Sequence, residues 1–583
     1  MLHRCLYLLL VSITTGVAAQ PLRVVAVLPT PEAVAGARDA PIVLTFDAPV
    51  NLATAGPHTL MVFGRWSGVM TGTLAWQEGN TRMQFTPDRP FSAGERVTVA
   101  LARTLAAAQG EALSTGYTWQ FWAPAAPASL ELVEGGQVSI RTTGEGWIQS
   151  YGAYGGDLNG DGALDLAVPN ERSNDVRVFL NDGTGSYDTP TVYPLPNGGR
   201  PSPNEGTDLN RDGVTDLVVG NSTNQTLSVL LGTGDGEFAP ILSYTTDPQV
   251  RGVTTLDLEG DGFVDVVTAN RYTAAGGTVS ILYNNQQGGL GNATSIDAQG
   301  LQETAVEAAD LNGDGLLDVV VGALESQEVS VLLGDGNGHL TYHATVPSGG
   351  ATWMLATGDV NGDGHVDVAS ANSTSHHVSI LPGDGHGNLG PPVIYPTGAF
   401  PLAVDLGDLD GDGDLDLVTS NYEGVSWTVY ENAGEGTFTQ PRTLPATGAG
   451  SCAVLHDRTG DGTLDLTGID EVADRMFLFT NPLPESIEPA SSEGFLLYPP
   501  YPQPFSEVVT FSFRLPRAAT VRLVVLDVEG RVRLTLAHRP YPSGVHTVFW
   551  DGTLAGQRLP AGVYLLQGYA DGHVHTQTVV YHP

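Results

Sequence analysis

A nine-residue pattern, Asp-x-(polar)-x-Asp-Gly-x-x-Asp, recurs seven times in this chain of 583 residues. Its first aspartates are Asp157, Asp208, Asp257, Asp310, Asp359, Asp408 and Asp457, spaced by 51, 49, 53, 49, 49 and 49 residues. Each copy precedes a short apolar run, such as Leu217-Val218-Val219 or Val319-Val320-Val321. A second apolar run follows (Val229-Leu230-Leu231, Val331-Leu332-Leu333), then a glycine-rich turn such as Gly334-Asp335-Gly336-Asn337-Gly338, then a further strand-like stretch. Four short strands in ~50 residues is the period of a propeller blade rather than of a helical solenoid. No window shows a 3.6-residue apolar period. The repeats therefore predict an all-β fold, a seven-bladed β-propeller over residues 130–484.

The spacing also predicts how such a ring closes. The glycine opening the fourth strand usually stands 21 residues before the next aspartate loop, as in Gly236 to Asp257 or Gly338 to Asp359. The seventh repeat lacks this glycine turn and runs into Asn481-Pro482-Leu483-Pro484. Gly136 stands 21 residues before Asp157 and is followed by Gln137-Val138-Ser139-Ile140-Arg141. That segment is expected to supply the missing strand of the last blade, leaving no open sheet edge.

The aspartate loops have the composition of a hard-cation site. Position 1 is the aspartate already named. Position 3 is Asn159, Asn210, Glu259, Asn312, Asn361, Asp410 or Thr459. Position 5 is Asp161, Asp212, Asp261, Asp314, Asp363, Asp412 or Asp461, and position 9 is Asp165, Asp216, Asp265, Asp318, Asp367, Asp416 or Asp465. Calcium takes six to eight oxygens at ~2.3–2.6 Å, and glycine at position 6 allows the tight curl that supplies four within nine residues. Magnesium fits less well, because it keeps water and octahedral geometry. Up to seven structural Ca2+ ions are expected. Thr459 makes the seventh loop the weakest, Glu259 is longer than its counterparts, and Asp414 gives the sixth loop the most charge.

The remaining chain divides around the repeats. Residues 1–19 read as a signal peptide, with Arg4, an apolar run from Leu6 to Val11, and Val17-Ala18-Ala19 before Gln20. No segment approaches the ~20 apolar residues of a transmembrane helix. Residues 21–128 carry runs such as Ile42-Val43-Leu44-Thr45-Phe46 and Arg96-Val97-Thr98-Val99-Ala100-Leu101, reading as an Ig-like β-sandwich. Residues 485–494 form a linker, and 495–583 read as a second Ig-like sandwich. Cys5 leaves with the signal peptide, so Cys452 is alone and no internal disulfide forms. An exported chain without disulfides points again to metal ions as its staples.

Charge excludes whole classes of partner. There are 64 acidic and 25 basic residues, a net charge of −39, and every basic residue is arginine. Phosphate backbones need Lys and Arg, so nucleic acid is excluded, as is an anionic membrane surface. The seven loops hold 24 of the 64 acids. The rest resembles the acidic surface of a salt-adapted protein, where concentrated salt screens self-repulsion.

The repeats resemble the FG-GAP/VCBS family of integrin α-subunits and exported bacterial proteins. The resemblance implies a seven-bladed propeller with calcium in the blade loops. The C-terminal piece is similar to the type A sorting domain of the type IX secretion system. It carries Tyr501-Pro502-Gln503-Pro504-Phe505, Asp527-Val528-Glu529-Gly530-Arg531, Trp550-Asp551-Gly552 and Leu559-Pro560-Ala561-Gly562-Val563-Tyr564. This implies outer-membrane export followed by release or surface attachment. The N-terminal piece resembles bacterial Ig-like domains through Leu44-Thr45-Phe46-Asp47 and Phe85-Thr86-Pro87-Asp88.

No nucleophile elbow, H-E-x-x-H or phosphate loop is present. His376-His377 reads as a surface turn, and Trp353 and Trp427 as blade residues rather than sugar platforms. The expected function is a non-enzymatic, secreted or cell-surface binding protein for a protein or glycan. The alternatives are a polysaccharide lyase or hydrolase, or a structural spacer. An acidic sugar would need arginines, and there are none between Arg271 and Arg442.

Overall fold

A computed structural model of the chain describes residues 20–271, 277–483 and 495–581, the last with breaks at 498–499, 501–504, 506–507, 516, 528–530, 543, 551, 555–556 and 571–572. The expected signal peptide and the 485–494 linker lie outside the described residues, as do residues 501–504, 528–530 and 551 of the C-terminal motifs. Two compact units divide at Leu483 and Pro484.

Seven four-stranded antiparallel sheets follow one another along the first unit. The fourth is typical: Glu303–Ala309, Asp318–Ala323, Glu328–Gly334 and Leu340–Pro347, paired in that order. Each aspartate loop joins a sheet's first strand to its second, and the ninth-position aspartate opens the second strand. Six sheets are made of consecutive strands. The seventh takes its outermost strand from far upstream: Val133–Ser139 pairs with Arg475–Thr480, with Val138 opposite Met476. The segment around Val138 therefore does complete the last repeat, but the strand begins at Val133, so Gly136 lies inside it instead of opening it, and Ile140 and Arg141 follow its end.

The apolar runs show no alternation in sequence because the middle strands are covered on both faces. Asp318–Ala323 is buried at every residue, whereas the outer strand Val393–Pro396 is mostly exposed. Alternation reappears in the packing. Leu217 and Val219 pack toward the first sheet, and the intervening Val218 packs toward the third. Val319 and Val321 likewise face the third sheet and Val320 the fifth. Seven such clusters each join two successive sheets. One of them links the seventh sheet to the first through Ile469, Met476, Leu166 and Phe179. Cys452 lies in that cluster, where burial pushes its thiol up to about 12. The first strands of successive sheets also lie side by side, including those of the first and seventh.

Residues upstream of the repeats form two four-stranded sheets around one core. Ile42, Leu44 and Phe46 alternate inward from one sheet and Val97, Val99 and Leu101 from the other, with Trp119 and Phe121 between them. In the second unit a three-stranded sheet (Leu496–Leu497, Val509–Leu515, Gly544–Trp550) and a four-stranded sheet enclose Phe511, Phe513, Val521, Leu523, Leu566 and Val579. Among the described residues no helix is long and apolar enough to cross a membrane.

Trp427 sits fully buried between the sixth and seventh sheets, against Phe477 and Phe479, and its Nε1 donates to the Cys452 carbonyl at 2.7 Å. Trp427→Ala is expected to lower unfolding free energy by ~3–5 kcal/mol in urea titrations. Val133→Ala, at a 58% exposed position of the closing strand, should change it by less than ~0.5 kcal/mol.

Candidate metal loops and central channel

Each aspartate loop is wound on its own carboxylates. In the fourth, Asp310 Oδ1 accepts from the Gly313 amide at 2.8 Å and Oδ2 from the Gly315 amide at 2.8 Å. Asn312 Oδ1 accepts from the Asp314 amide and Asp314 Oδ1 from the Leu316 amide, each at 2.9 Å. Gly315 has φ +81°, and the corresponding glycine is left-handed in all seven loops, which is why only glycine suits position 6. The bond from position 3 to the amide of position 5 is made by Asn159, Asn210, Asn312, Asn361 and Asp410. Among the described residues Glu259 and Thr459 do not make it, so the third and seventh loops do depart from the others.

The ninth-position aspartates do more than the sequence indicates. Asp318 Oδ2 accepts from the Leu311 amide at 3.0 Å, while Oδ1 accepts from the Gly334 amide at 2.9 Å. The second bond reaches the end of the third strand. It recurs from Asn181, Gly232, Asn284, Gly383, Asn432 and Asn481 to Asp165, Asp216, Asp265, Asp367, Asp416 and Asp465. Each of these aspartates thus ties the loop to its own sheet. Their burial is costly: it pushes the carboxyls of Asp165, Asp216, Asp318 and Asp367 up to about 7, against the opposing pull of the amides.

The sixth loop comes nearest to a closed carboxylate cage. Oxygens of Asp408, Asp410 and Asp416 lie within 4.8 Å of one another, the only such acidic group among the described residues. Burial raises Asp408 to about 8 and Asp416 to about 9. Asp408 Oδ1 is buried without a hydrogen-bond partner, as is Asp457 Oδ1 in the seventh loop. Unpartnered buried carboxylate oxygens beside further carboxylates fit a divalent cation. Asp412 and Asp414 stand outside the converging group. In the first loop Asp157 Oδ2, which accepts from the Gly162 amide, also accepts from Arg89 Nη1 at 2.9 Å.

Arg89 belongs to the upstream sandwich, which stands on the loops. The Asp157 amide donates to the Trp66 carbonyl, and the Arg103, Thr118 and Ala126 amides donate to the Gly260, Gly315 and Gly462 carbonyls, all at 2.7 Å. The Ala128 amide donates to the Asp410 carbonyl at 2.9 Å. Five of the seven loops are held this way.

Between the first strands runs a cavity of about 220 Å3. Glu205, Glu307 and Asp405 line it, each three residues before a loop aspartate, in the second, fourth and sixth repeats. The sandwich sends two arginines toward them. Arg65 Nη1 meets Asp405 Oδ1 at 2.8 Å, and Arg96 Nη1 donates to Thr357 Oγ1 at 2.8 Å. Burial raises Glu205 to about 7 and Glu307 to about 8, with Arg65 and Arg96 pulling the other way. Sequence reading missed this trio because alternate repeats carry Tyr154, Thr254, Ala356 and Val454 at the same position.

The remaining candidates fall where expected. Trp427 is core, His376 ends a short turn with left-handed backbone, and His377 begins the strand His377–Leu381. Trp353 differs, since it lines the cavity.

Small sheets threaded by repeated aspartate loops define an all-β, propeller-like repeat protein. The chain belongs to the FG-GAP-like repeat family, which matches residues 157–219, 208–268, 257–321, 310–370, 359–419 and 408–467. Each matched window begins at one loop and runs into the next, so the last includes the seventh loop. Residues 18–122 match a bacterial Ig-like domain. No curated protein matches the chain. Similar solved structures include BBS1N in complex with ARL6DN, at 10% identity over 60% of this chain and 97% of that one, with a TM-score of 0.43. An Agrocybe aegerita lectin recognising non-reducing terminal N-acetylglucosamine is 17% identical over 74% and 99%, with a TM-score of 0.37. A Desulfotomaculum acetoxidans protein is 14% identical over 65% and 96%, also with a TM-score of 0.37.

Glu307 faces Glu205, Asp405, Arg65 and Arg96 and has its pKa raised from an ordinary 4.5 to about 8. Above pH 4.5 the unfolded chain loses this proton while the folded chain keeps it, so stability falls as pH rises from about 4.5 to about 8. Glu307→Gln should therefore gain melting temperature over the parent progressively from pH 5 to pH 8, with no gain at pH 4, in paired thermal melts at fixed calcium.

Proposed function

We propose that the protein is an exported, calcium-stabilised, seven-bladed β-propeller that works as a non-enzymatic binding protein, secreted or at the cell surface, for a protein or glycan. The observation that carries the metal assignment is the buried, unpartnered Asp408 Oδ1 among converging carboxylates. Calcium, when bound, would supply positive charge to oxygens at loop positions 1, 3, 5 and 9. The ring assignment rests on the seventh-to-first apolar cluster and the borrowed outer strand. Export rests on the sequence of residues 1–19 and on the resemblance of 495–583 to a type IX sorting domain. A binding rather than catalytic role rests on the platform of loops and the absence of a catalytic motif in the sequence.

Two substitutions in one loop separate metal holding from strand tying. Asp314 is exposed, whereas Asp318 holds two backbone amides. Asp314→Ala should lower the melting temperature in calcium and change it far less in EDTA, where only exposed hydrogen bonds from Leu316 and Asn312 are lost. Asp318→Ala should lower it in both, by roughly 2–4 kcal/mol of stability for two orphaned amides. Equal melting of the parent chain in calcium and in EDTA would remove the calcium assignment.

A further inference from the structure

The aspartate loops and the upstream sandwich occupy one end of the central channel. The other end, where the first strands begin, carries a different chemistry. Arg251 and Trp353 come from the starts of Val250–Leu256 and Thr352–Gly358, and Tyr151 precedes Tyr154–Gly156; all three line the cavity. The Arg251 guanidinium lies 5.9 Å from the Trp353 ring and 6.0 Å from the Tyr151 ring. Arg271 lies over the same indole at 5.3 Å. Trp353 Nε1 donates to Tyr151 Oη, and the Phe400 ring stands 6.3 Å from Trp353.

The two arginines at this mouth differ in their partners. Arg251 Nη1 donates to Glu171 Oε1 at 2.9 Å and to Ser202 Oγ at 3.0 Å. Arg271 Nε donates to the neutral Gln302 Oε1 at 3.0 Å, and among the described residues Arg271 has no carboxylate at ion-pair distance. Glu471 is linked to Glu171 only through Gln149, and burial together with Glu171 raises it to about 7. Of these two neighbouring guanidinium groups, Arg251 thus has a carboxylate partner and Arg271 has none at ion-pair distance among the described residues, in a chain of net charge −39. Guanidinium forks fit carboxylates bidentately, and the aromatic rings beside them suit the face of a sugar ring.

We propose that this mouth binds the carboxylate of a terminal uronic-acid unit of an acidic glycan, with Arg251 and Arg271 on the carboxylate and Trp353, Tyr151 and Phe400 around the ring. The inference rests on the glycan branch of the function proposed above. The arginine-free stretch after Arg271, which weighed against an acidic sugar, is answered by the fold. It carries two arginines of the third repeat across the channel to a tryptophan of the fifth.

The test is calorimetric titration of the full chain, in fixed calcium, with glucuronate, galacturonate and their short oligomers, alongside glucose, galactose and an acidic peptide. Uronates should bind, and the neutral sugars should bind roughly tenfold or more weakly, as expected when a charge-assisted bond is lost. Arg271→Gln, which breaks no ion pair, should weaken uronate binding by a similar factor with an unchanged melting temperature. Trp353→Ala should weaken acidic and neutral sugars together. Absence of uronate binding, equal binding of neutral sugars, an unaffected Arg271→Gln variant, or preference for the peptide would each overturn the proposal. A protein or neutral glycan bound equally by the parent and Arg271→Gln would overturn it while leaving the binding-protein reading intact.

Discussion

A carboxylate buried where each loop meets its sheet is the interaction on which the repeats depend. The ninth-position aspartate accepts one amide from the loop and another from the third strand, as Asp318 does from Leu311 and Gly334. It therefore fixes loop, second strand and third strand to one another in every repeat. Such a group is expensive, since burial favours the neutral acid and neighbouring aspartates add repulsion. Two amide donors offset part of that cost. A divalent cation at positions 1, 3, 5 and 9 would offset the rest. Such a cation would account for 24 acids concentrated in seven short loops of a chain whose one described cysteine, Cys452, is unpaired.

The same loops carry the rest of the first unit. The upstream sandwich hydrogen-bonds to five of them through backbone groups and to the Asp157 carboxylate through Arg89, so its seat depends chiefly on loop shape. From that seat Arg65 and Arg96 reach the channel acids Glu205, Glu307 and Asp405. Loop geometry, sandwich position and channel charge are consequently one connected system. The opposite mouth gathers Arg251 and Arg271 about Trp353, and Arg271 has no carboxylate at ion-pair distance among the described residues.

Much of this is legible in the sequence because it is periodic. The aspartate spacing places every loop, and the missing fourth strand of the seventh repeat points to the segment upstream of the first loop, although the strand there starts at Val133 and runs through Gly136. Other features are hidden for physical reasons. The double role of Asp318 needs the third strand beside it, which only the hairpin register supplies. The alternation of Leu217, Val218 and Val219 is invisible because both faces are apolar. The channel acids occupy one register position but only in alternate repeats, so no consensus shows them. Arg251, Arg271 and Trp353 are separated by up to a hundred residues and meet only across the channel. In the sixth loop the convergence of Asp408, Asp410 and Asp416 is likewise a matter of geometry that charge alone does not show.

The measurement that bears most directly on this account is the calcium content of the purified full chain, by equilibrium dialysis with elemental analysis. The account predicts a stoichiometry approaching seven ions per chain, with the seventh loop, which has Thr459 at position 3, among the first to empty as free calcium is lowered. A chain that folds with the same stability and retains no calcium above the dialysis buffer would contradict it.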